Sequence, residues 1–408
     1  MKKTITLVES GKSKERTSSG SLLIACLLTI FLASCATENA KSIKLEKFIL
    51  QKTDSILVDY EGVFYLRDYH PEKDVFLAED YQNNRLIEFN RDGDIEYQIN
   101  WHQDGPDRLE AYPVGINYIG DSIAFILPQN QIVFLNKSAK ITGKIPFGAG
   151  SFYINGLTGD NIFKLGGNFV YLRPENMEMI ENYDDLFGSA YSKPILEIFE
   201  ASSKQRKYTM PFPTGSIYQP GSYRFWTFPT IKKRRADYFL FFHAEPWFYH
   251  YKQIENEILF QQKVSLPDTK FVQRKAVSMN QSDKYWDING NIIEGRITGL
   301  YPLEKGILVI YRKGLDENIT SGYNTDDREV RRMLDDNHNP YLWAFFDYEM
   351  GAITWNQACP EGIIWTSSYT KNGEIVGLKD QEFHGKEEKH QTFYLYKPVQ
   401  TNYAATYF

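Results

Sequence analysis

Asp and Glu are plentiful in this chain, and one cluster whose donors could approach a metal is His243-Ala244-Glu245, with His250 seven residues on. An imidazole and a carboxylate two positions apart can approach one metal ion, since zinc takes such nitrogen and oxygen donors. Both fall between two apolar runs, where Pro246 bends the chain and Trp247 follows. No further ligand pairs with them in sequence, so the spacing predicts a polar hairpin tip and no metal site. His243, Glu245 and Trp247 stand as binding candidates. Asp335-Asp336-Asn337-His338-Asn339 is rich in oxygen donors but lacks the loop pattern of a calcium hand, and a helix end followed by a turn explains it. The run Lys232-Lys233-Arg234-Arg235, flanked by Phe225, Trp226, Phe228 and Tyr238, has the ingredients of a nucleic-acid patch. In a chain of net charge -6 it reads instead as a solvated loop between strands, whose natural contact would be anionic lipid or a lipopolysaccharide phosphate. There is no Gly-rich phosphate loop, no Gly-x-Ser-x-Gly elbow and no His-Glu-x-x-His, so no cofactor and no catalytic residue can be named.

One cysteine carries a more specific signal. Lys2, Lys3, Lys12, Lys14 and Arg16 precede the apolar run Leu22–Ala33, whose twelve residues suit a signal peptide better than a bilayer span of about twenty. The run ends in Leu32-Ala33-Ser34-Cys35, which resembles the lipobox of bacterial lipoproteins. That resemblance implies cleavage before Cys35 and attachment of lipid to its thiol. Loss of residues 1–34, with five basic and two acidic side chains, takes the charge from -6 to -9 and argues against nucleic acid as a partner. Cys359 is then the one free thiol, without a disulfide partner. The residue after Cys35 is not Asp, so by resemblance to enteric lipoprotein sorting nothing retains the chain at the inner membrane. The expected address is the outer membrane, on its periplasmic or its outer face.

The elements that must position any site are β-strands. Val75–Ile99 reads as strand, polar loop, strand, Asp92-Gly93 turn, strand, because Gly and Asn reach positive φ cheaply. The same pattern recurs through Ser122–Ile145, Asn168–Met210, Tyr238–Val264, Gly306–Asn356 and Ile363–Lys397. Six such units predict an all-β fold, a six-bladed β-propeller, over residues 42–408, after a signal peptide at 1–34 and a tether at 35–41. Strands that are continuous apolar runs fit blades buried on both faces, and bulky aromatics fit the wedge-shaped gaps between them. A pair of β-sandwiches is the competing architecture. A short helix is expected within the fifth blade at Asp326–Asn337, capped by Thr325, with Val330, Met333 and Leu334 on its apolar face.

With Cys35, the blade pattern and the helical insert leading into Asp335–Glu349, the chain resembles an uncharacterised Bacteroidota lipoprotein family, a domain of unknown function related to six-bladed propellers. The resemblance implies fold and address, and no activity. The leading expectation is therefore a lipid-anchored envelope module that binds a peptide, glycan or protein partner on a rigid ring of loops. The inserts after Arg173, Tyr311 and Ser368 would elaborate that binding face. The alternative is a hydrolase or lyase with a metal or carboxylate site on the central axis, marked by several inward-facing His, Asp or Glu. A structural subunit of an envelope complex is a third reading.

Overall fold

The computed structural model describes residues 47–102, 104–109, 111–128, 131–146, 151–152, 160–176, 190–225, 229–267, 270–348 and 351–401. Cys35, the signal peptide and the tether lie outside the described residues, as do Trp226, Phe228 and much of the insert after Arg173.

Tight turns fold the strands into six four-stranded antiparallel sheets, the blades of a six-bladed β-propeller. Blade 1 comprises Tyr65–His70, Val75–Asp80, Arg85–Asn90 and Ile95–Asn100, and blade 2 Gly115–Ile119, Ser122–Leu127, Gln131–Leu135 and Ile141–Pro146. Blade 3 comprises Ile162–Leu165, Asn168–Leu172, Leu196–Glu200 and Gln205–Thr209. Blade 4 is built from Pro229–Arg234, Asp237–Phe242, Trp247–Ile254 and Glu257–Ser265. Blade 5 follows with Ile293–Pro302, Gly306–Leu315, Leu342–Asp347 and Gly351–Ala358. In each of these the first strand is innermost. Blade 6 takes Ile363–Tyr369, Ile375–Lys379 and Gln391–Thr401 from the end of the chain, and its outer strand from the start. That strand, Lys47–Val58, pairs with Gln391–Thr401 from Lys47 opposite Thr401 to Val58 opposite Gln391, and closes the ring. Two of these strands escape the sequence pattern. Lys47–Val58 has no hairpin partner nearby, and Ile375–Lys379 sits in a stretch rich in Lys and Glu.

Each gap between blades is filled from both sides. Between blades 6 and 1, Phe89 stacks on Phe393 at 5.2 Å and on Phe76 at 5.3 Å. Similar apolar clusters join blades 1 and 2, 4 and 5, and 5 and 6, while one continuous cluster runs through blades 2, 3 and 4. At Gly93 (φ 92°) a Cβ would meet Leu57 O at 1.9 Å, so only glycine lets this turn tuck against the closing strand.

The helix in the fifth blade is Arg328–His338. Its cap is Asp327, whose carboxylate accepts from the Glu329 and Val330 N–H groups, and not Thr325, whose hydroxyl donates to Gly290 O. Leu334 packs with Ile293, Leu315 and Val330, whereas Met333 is exposed.

Strand alternation fixes which loops share a face. The loops between second and third strands carry the inserts of blades 3, 5 and 6, and all point to one side of the ring. The turns between first and second strands lie on the other side.

Candidate functional site

Where six inner strands converge, each presents backbone groups that its own sheet does not use, and polar side chains of neighbouring blades meet them. Asp68 of blade 1 accepts hydrogen bonds from the N–H of Tyr118 in blade 2 (2.7 Å) and of Tyr69 (2.8 Å), with Asn117 Nδ2 at 3.4 Å. Asn117 Oδ1 in turn accepts from Asn161 N–H (3.1 Å) at the start of blade 3. Asp160 joins blade 3 to blade 4: its N–H donates to Ile231 O (2.9 Å) and its Oδ2 accepts from Lys233 N–H (2.6 Å). The Lys232 ammonium stands 3.6 Å from the other oxygen of Asp160. Between blades 4 and 5, His243 Nδ1–H donates to Ile297 O (2.7 Å). Between blades 5 and 6, the Tyr301 hydroxyl donates to Thr366 O. The last seam, from blade 6 to blade 1, is bridged by Arg91, both of whose terminal nitrogens lie 2.8 Å from the Glu374 carboxylate.

Asp68 and Asp160 line two cavities of about 170 and 340 Å³ that share Tyr69, Pro71 and Lys233. Together they form an axial mouth on the side of the first-to-second-strand turns, opposite the inserts. Ser367, Ser368, Tyr369 and Thr370 line one part, and Asn117, Tyr118 and Phe163 the other. Tyr369 also donates its hydroxyl to Lys233 O at 3.3 Å. Burial, and then the charge of Asp160, push the Asp68 carboxyl up to about 6, against the pull of the Tyr118 and Tyr69 N–H groups and of Lys232. Burial lowers the Lys233 ammonium, partly offset by Asp160. The mouth thus offers hydroxyls, an amide and amines. Of the acids that line it, Asp68 and Asp160 are occupied by backbone donors and lysine, while the exposed Glu72 and the buried His70 line the part beside Tyr118.

The basic run is therefore not a loop. Lys232, Lys233 and Arg234 are the end of an inner strand, and Lys232 is buried. Two lysines accept this position because Asp160 neutralises one and the aromatic faces of Phe163 and Tyr238 lie 5.2 and 5.6 Å from the other.

His243, Glu245 and Trp247 do lie at a turn between strands, but they diverge. His243 faces blade 5, and burial lowers its pKa. Glu245 faces the connector from blade 3, where it accepts from Ser216 Oγ (2.7 Å) and Ile217 N–H (2.8 Å). It is fully buried, and burial pushes it up to about 7. Trp247 donates Nε1–H to the Tyr249 hydroxyl (2.6 Å) and carries Lys263 Nζ 3.3 Å from its ring centre. His250 is 2.8 Å from Asp237 Oδ1. Among the described residues no three His, Cys, Asp or Glu side chains come together as metal ligands. The oxygen-rich stretch after the helix is likewise engaged: Asp335 pairs with Arg296 (3.0 Å) and Arg312 (3.4 Å) and accepts from Asn339 (2.7 Å). Cys359 is a buried free thiol whose pKa burial raises.

Asp68, Asn117 and Asp160 belong to no motif in the sequence, whereas Lys233 stands in the basic run. A signal for two of them exists. Asp68-Tyr69, Asn117-Tyr118 and Ser368-Tyr369 repeat one polar-Tyr pair near the ends of three inner strands.

No family model matches the chain, and no curated protein matches it in sequence. Among solved structures it is similar to a member of the DUF4221 family from Bacteroides vulgatus, with a TM-score of 0.62 and 10% identity over 88% of this chain and 100% of that one. The likeness is one of fold. A protein of Bacteroides fragilis described as exported gives a TM-score of 0.50 and 14% identity over 89% of this chain and 98% of that one. The propeller and its resemblance to an uncharacterised Bacteroidota family, both read from the sequence, agree with these neighbours. No helix among the described residues is long and apolar enough to cross a membrane.

Proposed function

We propose that the protein is a lipid-anchored module of the bacterial cell envelope whose axial mouth binds a polar partner group, from a peptide, glycan or protein. The observation that carries this reading is the state of Asp68 and Asp160. Both carboxylates are tied to backbone N–H groups of neighbouring blades, which leaves hydroxyls, an amide and lysines, with His70 and Glu72 at one edge, as the groups that face a ligand. A hydrolase or lyase built on Asp68 and Asp160 would need one of them free to exchange its proton with a substrate. The lipobox ending at Cys35 and the exported relative support an envelope address.

Two measurements test the halves separately. Labelled palmitate should enter the wild type and not Cys35→Ser; equal labelling overturns the anchor. Glycan and peptide arrays probed with the full chain should return a binder whose signal Ser367→Trp removes by filling the mouth. A binder indifferent to that substitution, or no binder, overturns the assignment of the mouth.

A further inference from the structure

A second cavity, of about 660 Å³, opens between blades 2 and 3 away from the axis. Its floor is apolar: Phe134, Phe169 and Phe199, with Phe134 and Phe169 tilted together at 5.0 Å. Its rim is cationic. Lys164 lies 5.8 Å from the Phe169 ring centre and the Arg206 guanidinium 5.4 Å from that of Phe199, while Lys204 sits at the adjoining turn. Arg206 is paired with Glu197 (3.1 Å), which also accepts from Tyr171, and it reaches Pro146 O across the gap. Among the described residues the ammonium groups of Lys164 and Lys204 have no acidic partner and no acid lines the cavity. In a protein of net charge -6 this is an island of the opposite sign.

The floor is open because of one residue. Gly143 sits opposite Phe134 in the outer strand of blade 2, and a Cβ there would meet only Phe134 Cδ2, at 3.5 Å. A glycine within a strand weakens it, and commonly marks a place where something else approaches closely. A larger side chain at this position would cover the aromatic floor.

We propose that this cleft takes one molecule of an anionic amphiphile, with a phosphate or carboxylate against Lys164 and Lys204 and its apolar part over Phe134 and Phe169. The volume falls in the range of small-molecule sites, about 300–1,000 Å³, and is far smaller than a protein footprint. Charge at the rim with rings at the floor distinguishes this ligand both from a bare anion and from a neutral lipid. The occupant is a single molecule, not a bilayer surface.

The test is calorimetric titration of the purified full chain with dihexanoyl phosphatidic acid, a soluble monomer, against inorganic phosphate and dihexanoyl phosphatidylcholine. The phosphatidic acid should bind about tenfold or more tightly than either control. Lys164→Glu with Lys204→Glu should weaken it by a similar factor, and so should Gly143→Leu, which leaves every charge in place. Thermal denaturation should show neither variant less stable than the wild type, which separates a lost site from a lost fold. Equal affinity for inorganic phosphate would reduce the cleft to a non-specific cationic patch, and equal affinity for the zwitterion to a greasy one. Either result overturns the proposal, as does indifference to both variants, or binding to phosphatidate vesicles without binding of the monomer.

Discussion

The axial mouth and the cleft between blades 2 and 3 are both openings on the same side of the ring, yet they treat charge in opposite ways. At the axis Asp68 accepts from two backbone N–H groups, one on a neighbouring strand, and Asp160 accepts from the Lys233 N–H and neutralises Lys232. In the cleft Lys164 and Lys204 stand without acidic partners above an aromatic floor. The difference follows from where each lies. Inner strands converge and leave backbone donors that must be met, so polar side chains there are recruited to hold blades together. Toward the rim blades diverge, the gap widens, and apolar filler runs short. The axial carboxylates therefore hold blades together and leave the hydroxyls, amide and lysine beside them to face a ligand, while in the cleft the charges themselves face outward.

The largest expected contrast comes from deleting one charge in each place. Asp160→Ala leaves the Lys233 N–H without its acceptor and the buried Lys232 ammonium without its partner, and should cost about 4 kcal/mol in urea denaturation. Lys204→Ala removes an exposed group with no partner and should stay within about 0.5 kcal/mol of wild type. Comparable losses in the two variants would break the distinction.

How much of this was legible depends on whether the signal was local. The hairpins of blades 1 and 2 announce themselves because each strand pairs with its sequence neighbour and each turn carries Gly, Asn or Asp. The closing strand Lys47–Val58 pairs with residues more than 330 positions away, so no local pattern could place it. Lys232–Arg235 looked solvated because four adjacent cations seldom enter a sheet, and only Asp160, distant in sequence, makes the position tolerable. His243 and Glu245 looked like a pair because they are two residues apart. Their side chains serve different seams, His243 toward Ile297 and Glu245 toward Ser216, a divergence that only the stacking of blades reveals. Helical spacing found the insert but not its cap, since Thr325 and Asp327 are both good capping residues and the choice rests on Thr325 being drawn to Gly290.

A smaller effect should appear in pH dependence. The Asp68 carboxyl titrates at about 6 in the fold against an ordinary 3.8, so between those values the folded state binds more protons than the unfolded. Stability therefore falls as pH rises through this window, and the penalty is complete above pH 6. Allowing for partial solvent access, Asp68 should contribute about 2 kcal/mol to the drop between pH 4 and pH 8. Asp68→Asn should remove that part of the slope while lowering stability at every pH, because an amide oxygen replaces only one of two acceptors. An unchanged slope in the variant would show that Asp68 is not the strained acid of the axis.

The finest comparison uses two glycines. Gly115 begins the inner strand of blade 2, where a Cβ would press to 3.1 Å against the Asn161 amide and the Ile126 side chain. Asn161 is itself buried, so its side-chain amide has little room to move aside. Gly143 belongs to the outer strand of the same blade and has only the ordinary 3.5 Å contact with Phe134. Neither has positive φ, so backbone strain does not distinguish them. Gly115→Ala should destabilise by about 1–2 kcal/mol through overpacking. Gly143→Ala should stabilise by about 0.5–1 kcal/mol, since alanine surrenders less backbone entropy on folding. Opposite signs in thermal denaturation would establish that the blade is tight at its inner edge and open at its outer one. Gly143→Ala with a loss as large as that of Gly115→Ala would mean the cleft is already filled, and would remove the space the amphiphile requires.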